Sequence, residues 1–204
     1  CLIEGSVSGA VSGTFDACGG TLYVDWEYTD NCNRTITYRQ TLTVEQAPAP
    51  VWVSPPSDIT ISCDAAQSYT PPMLSYTNNR TDDCDISGSV PGGISGTFDA
   101  CGGSFIVVWV YTDPCGRTIN HTQNITIDQA PDPSWINPPA NETIACNEAG
   151  TYVFPNLDLS NSLSGACEIS GTSVAPVVSR LYNECGGTIE ATWTYPLPCG
   201  GDLT

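Results

Sequence analysis

The chain has 204 residues, with 11 cysteines, 16 prolines, 19 glycines and a formal net charge of −17, drawn from 22 acidic residues against 5 arginines and no lysine. That sign opposes binding to nucleic acid or to anionic membranes, and no apolar run approaches the roughly 20 residues that a membrane span needs. Cysteine at this density and regular spacing indicates a disulfide framework formed in an oxidising compartment. Cys1 is not a natural start, so the leader that exports the chain is expected elsewhere in a longer polypeptide.

The chain repeats itself. Residues 12–20 read Ser-Gly-Thr-Phe-Asp-Ala-Cys-Gly-Gly, and the same nine return at 95–103, offset by 83 (95 − 12). A worn third copy ends in Glu184-Cys185-Gly186-Gly187. Cys1, Cys84 and Cys167 keep one phase, as do Cys18, Cys101 and Cys185, then Cys32, Cys115 and Cys199, and finally Cys63 and Cys146. Trp26, Trp109 and Trp193 keep the period too, with Tyr28, Tyr111 and Tyr195. A fixed period of this length means an array of one module.

Taken in order, residues 1–47 are the C-terminal part of a truncated repeat. Its runs at 21–28 and 35–44 alternate and are rich in β-branched and aromatic residues, which suits half-buried strands. Gln46-Ala47-Pro48-Ala49-Pro50 recurs as Gln129-Ala130-Pro131-Asp132-Pro133. Alternate prolines fix φ and remove donors, so a stiff, extended joint is expected there. Residues 48–130 form one complete repeat, with strands expected at 51–54, 58–63, 72–76, 85–90, 94–99, 104–112 and 117–128. Turn residues such as Pro55-Pro56, Asn78-Asn79 and Gly102-Gly103 separate them. Residues 131–204 repeat the plan and lack the last strand. Seven short strands in about 80 residues predict tandem immunoglobulin-like β-sandwiches, all-β and disulfide-stapled, arranged end to end as a rod.

Strand polarity suggests the bridges. If the strands at 85–90 and 94–99 form a hairpin, Cys84 and Cys101 lie at its open ends. Cys101 and Cys115 flank a nine-residue strand that spans about 30 Å, beyond the roughly 7 Å a disulfide allows. Cys63 is then placed beside Cys115. The repeat extends this to Cys1–Cys18, Cys167–Cys185 and Cys146–Cys199, with Cys32 paired outside the fragment. A rival scheme, Cys63–Cys84 with Cys101–Cys115, leaves Cys1 over instead, and only strand geometry separates the two. Each bridge should add roughly 3–4 kcal/mol by restricting the unfolded chain.

Catalytic chemistry finds little to stand on. His121 is the only histidine, and no Gly-x-Ser-x-Gly elbow accompanies it, so no triad and no enzyme is expected. The cysteines lack Cys-x-x-Cys spacing, which argues against zinc. Asp82, Asp83 and Asp85 are the one candidate calcium group, but the third copy has Ser164-Gly165-Ala166-Cys167-Glu168 there. No metal or cofactor is therefore expected. Trp26, Trp109 and Trp193 read as sandwich cores, and Trp52 and Trp135 as packing of the joints. Sequons at Asn33, Asn79, Asn120, Asn124 and Asn141 matter only where a host glycosylates them.

Pro56-Ser57-Asp58-Ile59-Thr60-Ile61-Ser62-Cys63-Asp64 resembles the opening of HYR-like, immunoglobulin-like repeats. Val110-Tyr111-Thr112-Asp113-Pro114-Cys115-Gly116-Arg117 resembles their closing Thr-Asp-x-Cys-Gly motif, and Tyr28-Thr29-Asp30-Asn31-Cys32-Asn33-Arg34 is a near copy. Such repeats are strung in giant surface proteins of Bacteroidota, including SprB-type gliding adhesins exported by type IX secretion. The resemblance implies an extracellular, cell-surface stalk whose distal region, outside these residues, binds a surface or glycan. Its nearest partners would be neighbouring repeats of the same chain. A static filament or coat subunit is the alternative, and a carbohydrate-binding array the third reading.

Overall fold

The computed structural model describes residues 3–204. Strands dominate, the sheets are largely antiparallel, and three disulfides close them. No helix of the described residues is long and apolar enough to cross a membrane.

In the first copy, β1 (Ala10–Asp16), β2 (Gly19–Thr29) and β3 (Thr35–Val44) make an antiparallel sheet in that order. The complete copy supplies β4 (Val51–Trp52), β5 (Ile59–Ile61), a one-turn helix α1 (Cys63–Ala66), β6 (Leu74–Thr77), β7 (Ser87–Val90), β8 (Gly93–Asp99), β9 (Gly102–Thr112) and β10 (Thr118–Ile127). All seven expected strands are present, sorted into two sheets of order β4-β6-β7 and β5-β10-β9-β8. The third copy gives β11 (Ser134–Trp135), β12 (Asp158–Ser160), β13 (Ser170–Thr172), β14 (Val177–Asn183), β15 (Gly186–Thr192), β16 (Tyr195–Pro196) and β17 (Asp202–Leu203). The alternation of the sequence conceals the helix α1 and the 3-10 turns at Asp82–Cys84 and Gly165–Cys167. Ser62 caps α1 by accepting the N–H of Ala65, and Asp64 sits in its first turn, where acid is favoured.

Two compact units result, and they do not coincide with the copies. The first holds residues 1–56, 71–93 and 108–122, of which the first two are not described. The second holds residues 57–70, 94–107 and 123–204. In the first unit the core gathers Ala17 and Ala47 of copy one with Tyr76 and Ile86 of copy two, and Trp52 and Tyr111 pack against them. Tyr76 on β6 stacks on Tyr111 on β9 with ring centroids 3.7 Å apart. Burial, with the neighbouring Tyr76 hydroxyl, pushes the Tyr111 phenol up to about 12. Trp109 is fully buried and donates its indole N–H to the carbonyl of Pro72 at 3.0 Å, as a buried tryptophan usually does. In the second unit Cys63, Ala66, Ala100, Ile127 and Ala130 of copy two join Leu159, Cys167 and Ile169 of copy three.

The bridges run Cys18–Cys115, Cys63–Cys167 and Cys101–Cys199, which corrects the expected pairing. Cys63–Cys115 is not formed because β5 runs parallel to β10, with Ile61 opposite Ile127. Cys63 thus lies at the far end of β10 from Cys115, roughly 30 Å away along a ten-residue strand. Cys84–Cys101 is not formed because β7 and β8 are no hairpin: β7 pairs with β6, and β8 with β9 in the other sheet. By the same logic of repetition Cys146–Cys199 and Cys167–Cys185 give way to Cys101–Cys199 and Cys63–Cys167. The alternatives are absent too: Cys63 bonds Cys167 and not Cys84, and Cys101 and Cys115 flank opposite ends of β9 and bond Cys199 and Cys18. Cys1 lies outside the described residues, and its expected partner Cys18 is bonded to Cys115. Every observed bridge therefore ties one copy to the next. Each closes a loop near 100 residues, with separations of 97, 104 and 98, and in the chain-entropy model such a loop contributes about 4.7 kcal/mol.

Candidate functional site: the joints between copies

The nine-residue block that the chain repeats is a turn built for contact. Asp16 accepts the N–H of Cys18 at 2.7 Å, Asp99 that of Cys101 at 2.8 Å, and in the worn copy Asn183 that of Cys185 at 2.8 Å. Each side chain closes an Asx turn and presents the adjoining cysteine at a hairpin tip. The next residue must be glycine. Gly19 and Gly102 have φ of 89° and 94°, and a Cβ there would stand 2.6 Å from the carbonyl oxygen of Val44 or Ile127.

The alanine of the block anchors the stretch that leaves the last strand of its own copy. The carbonyls of Ala17 and Ala100 accept the N–H groups of Ala47 and Ala130 at 2.9 and 2.8 Å. The Gln-Ala-Pro stretch is thus pinned by its buried alanine to the tip of the preceding hairpin, and Pro50 is fully buried.

The Thr-Asp-x-Cys-Gly-Arg motif supplies the other half of the joint. Asp113, 4% exposed, receives at Oδ1 the N–H groups of Cys115 (3.0 Å) and Arg117 (2.8 Å), and at Oδ2 the Arg117 Nε–H (2.6 Å). Burial pushes the Asp113 carboxyl up, but the hydrogen bonds from Arg117 and Cys115 and the guanidinium charge together hold it below the usual carboxylate range. The same guanidinium donates from Nη1 to the carbonyl of Ala47 at 2.7 Å. One arginine therefore orders its own turn and grips the preceding copy, and the Cys18–Cys115 bridge locks the contact with Cα atoms 5.2 Å apart. Asp30 and Arg34 repeat the turn in copy one, and the Arg34 N–H and guanidinium likewise lower the Asp30 pKa against its burial. In copy three Leu197 and Gly201 stand in their places, yet the Leu197 N–H still reaches the Gly201 carbonyl at 3.0 Å, so the turn survives without the carboxylate.

The second joint, in the second unit, is closed by Cys101–Cys199 and by Cys63–Cys167, whose Cα atoms are 5.1 and 5.8 Å apart. Asn161 holds the 3-10 turn at residues 165–167: its amide donates to the Cys167 carbonyl at 2.8 Å and its oxygen accepts the N–H of Ile169 at 3.1 Å. Asn78 does the same for Cys84 and Ile86 at 2.8 and 3.1 Å. Trp135 packs into this core, as Trp52 does into that of the first unit, where it meets Tyr76 edge-on at 6.2 Å.

Other candidates take ordinary structural places. Asp82 accepts from the Thr81 hydroxyl and Asp85 from the Ser87 hydroxyl at 3.3 and 2.8 Å, while Asp83 lies in the 3-10 turn between them. Glu168 bonds Ser170 in the same manner as Asp85 bonds Ser87. Among the described residues no three His, Cys, Asp or Glu side chains converge as metal ligands. His121 is half-buried against Trp109, with Nε2 2.8 Å from the Pro56 carbonyl.

A cavity of about 740 Å³ in the second unit is lined by Ile144, Tyr152, Phe154, Ile189 and Trp193 among others. One period earlier Ile61 stands where Ile144 does, and β10 lies beside it. Residues 141–144 carry no strand, and Trp193 donates to the Pro155 carbonyl at 2.7 Å just as Trp109 does to Pro72.

The sequence singled out every cysteine of these joints but assigned them to bridges inside one copy, and it missed Arg117, Ala47 and Ala130. The signal for Arg117 was present in the second copy of its motif, at Arg34. Compared with protein-family models, curated proteins and solved structures, the chain matches none.

Proposed function

We propose that the chain is a segment of a long, non-enzymatic stalk built from immunoglobulin-like sandwiches of the HYR-like kind. It stands on a bacterial cell surface and projects a distal adhesive region, as SprB-type gliding adhesins do. One observation carries this reading: the same joint is built twice, one period apart, from buried alanine, a hairpin-tip cysteine and a bridge into the next copy. A device that fastens identical copies in series suits tension better than catalysis. The sheets β4-β6-β7 and β5-β10-β9-β8 support the sandwich class, with β5 alongside the last strand as a short A′-type segment. Three disulfides fit an oxidising, extracellular setting, and an acidic, lysine-free surface would keep neighbouring stalks apart.

Beads coated with antibody against this repeat, placed on live producing cells, test the proposal. Beads that bind and travel along the cell support a motor-coupled adhesin, and beads that bind and stay put support a passive stalk. Failure to bind intact cells, with the chain found only in the medium, would overturn the surface reading. Concentration-dependent assembly of purified repeats would favour the static filament.

A further inference from the structure

Among the described residues Cys32, Cys84, Cys146 and Cys185 carry no bridge. Each stands one period from a cysteine that does. Cys32 corresponds to Cys115, Cys84 to Cys167, Cys146 to Cys63 and Cys185 to Cys101. For Cys32, Cys84 and Cys185 the settings match as well as the spacing, whereas Cys146, exposed in a turn, shares only the spacing with the buried Cys63. The Cys32 N–H is held by Asp30 at 2.8 Å as that of Cys115 is by Asp113 at 3.0 Å. The Asn78 amide holds the Cys84 carbonyl at the same 2.8 Å as Asn161 holds that of Cys167, and both 3-10 turns start from an extended residue with φ near −130°. Cys185 keeps the Asx turn of Cys101. Shifting the observed bridges by one period sends each of the four to a position beyond the 204 residues: Cys32 and Cys84 toward the preceding copy, Cys146 and Cys185 toward the next one.

We infer that these four are no free thiols in the natural chain but the ends of a continuous disulfide ladder, in which every copy is bonded twice to the copy before it and twice to the copy after. The inference rests on the reading of the chain as part of a longer array. Each rung forms when two thiols release two protons and pass two electrons to an exchangeable disulfide of a thiol oxidase, which leaves as a dithiol.

The ladder creates two covalent paths far shorter than the backbone. Along the first, tension enters at Cys18, crosses to Cys115, returns through β9 to Cys101 and crosses to Cys199. Only fourteen residues per period (115 − 101) lie on that path. Along the second, the Cys63–Cys167 bridge leads into the 21 residues back to Cys146 (167 − 146), where the next rung starts. All other elements lie outside the direct line of pull.

The test is a disulfide map of the full natural chain, taken from producing cells with thiols blocked by N-ethylmaleimide before denaturation. Pepsin at acid pH suits a chain with no lysine and five arginines, since exchange needs thiolate and is frozen there. The expected result is Cys18–Cys115, Cys63–Cys167 and Cys101–Cys199, with Cys32, Cys84, Cys146 and Cys185 each linked to a peptide outside these residues and none of them blocked. Blocked thiol at any of the four, or a Cys84–Cys101 or Cys63–Cys115 peptide, would overturn the ladder. Neither outcome bears on where the chain resides, so the bead experiment fails or succeeds independently.

Discussion

The guanidinium of Arg117 donates to the carbonyl of Ala47 at 2.7 Å, across 70 residues of sequence and from one copy to another. It does so while held by the buried carboxylate of Asp113, so a charged pair serves as the hinge pin of an otherwise apolar joint. Arg117→Ala would leave that carboxylate buried without its cation, the costlier way to break such a pair. The expected outcome is a lower melting temperature and faster amide exchange at Ala47 and Cys115. Arg117→Lys, lacking the planar fork, should recover only part of both.

The same pair sets an acid limit. Asp113 and Asp30 titrate below the usual carboxylate range in the folded chain. A depressed folded pKa contributes stability above the unfolded value, about 3.9, and that contribution is lost as pH falls through the folded one. Melting temperature should therefore hold level from pH 7 to 5 and drop below about pH 4. Asp113→Asn should flatten part of that drop.

Two glycines separate backbone strain from steric conflict. Gly102→Ala must accept φ of 94° and a Cβ placed 2.6 Å from the Ile127 carbonyl, and should cost about 2–3 kcal/mol. Gly116→Ala faces φ of 81° with open space around it and should cost about 1 kcal/mol. Urea titrations of the two variants would show equal slopes and midpoints ordered accordingly.

Trp109→Phe removes indole volume from a fully buried site and leaves the Pro72 carbonyl without its donor. A loss of about 2–3 kcal/mol is expected, near the lower end of large-to-small core changes. Trp26→Phe, at a half-buried position beside Tyr38, should cost well under half of that by the same titration.

Stretching single molecules of the natural array distinguishes the pairing schemes mechanically. With the ladder intact, fourteen residues per period allow about 50 Å of contour, at about 3.5 Å per residue. Bridges confined to one copy would leave 31 residues between Cys115 and Cys146 (146 − 115), or about 110 Å. Full reduction should release the whole 83-residue period, about 290 Å.

The strands were legible and the partners were not. Residues 35–44 alternate plainly enough that the expected strand and β3 coincide, and β-branched runs located all seven strands of the complete copy. Alternation says which face a residue presents but not which way its neighbour runs. Ile59-Thr60-Ile61 reads identically whether paired parallel or antiparallel, and its parallel pairing with β10 is what carries Cys63 away from Cys115. The joint was hidden for another reason. Ala47 and Ala130 matter through small size and one backbone N–H each, and neither property leaves a pattern in composition. Arg117 shows as one charge among few, and its acceptor lies 70 residues back.

Because each joint is completed by residues that come later, the chain matures with a lag. Cys18 must wait for 97 further residues before Cys115 exists, and Cys101 for 98 before Cys199 does. In the ladder inferred above, a growing array would carry a reactive edge of unpaired thiols at its newest copies and a sealed region behind it. Adding or deleting one whole period of that ladder leaves every rung intact wherever the cut falls, whereas losing a stretch that carries one cysteine leaves its partner unpaired. Changes between cysteines are tolerated, since Cys18 to Cys101 spans 83 residues and Cys101 to Cys185 spans 84.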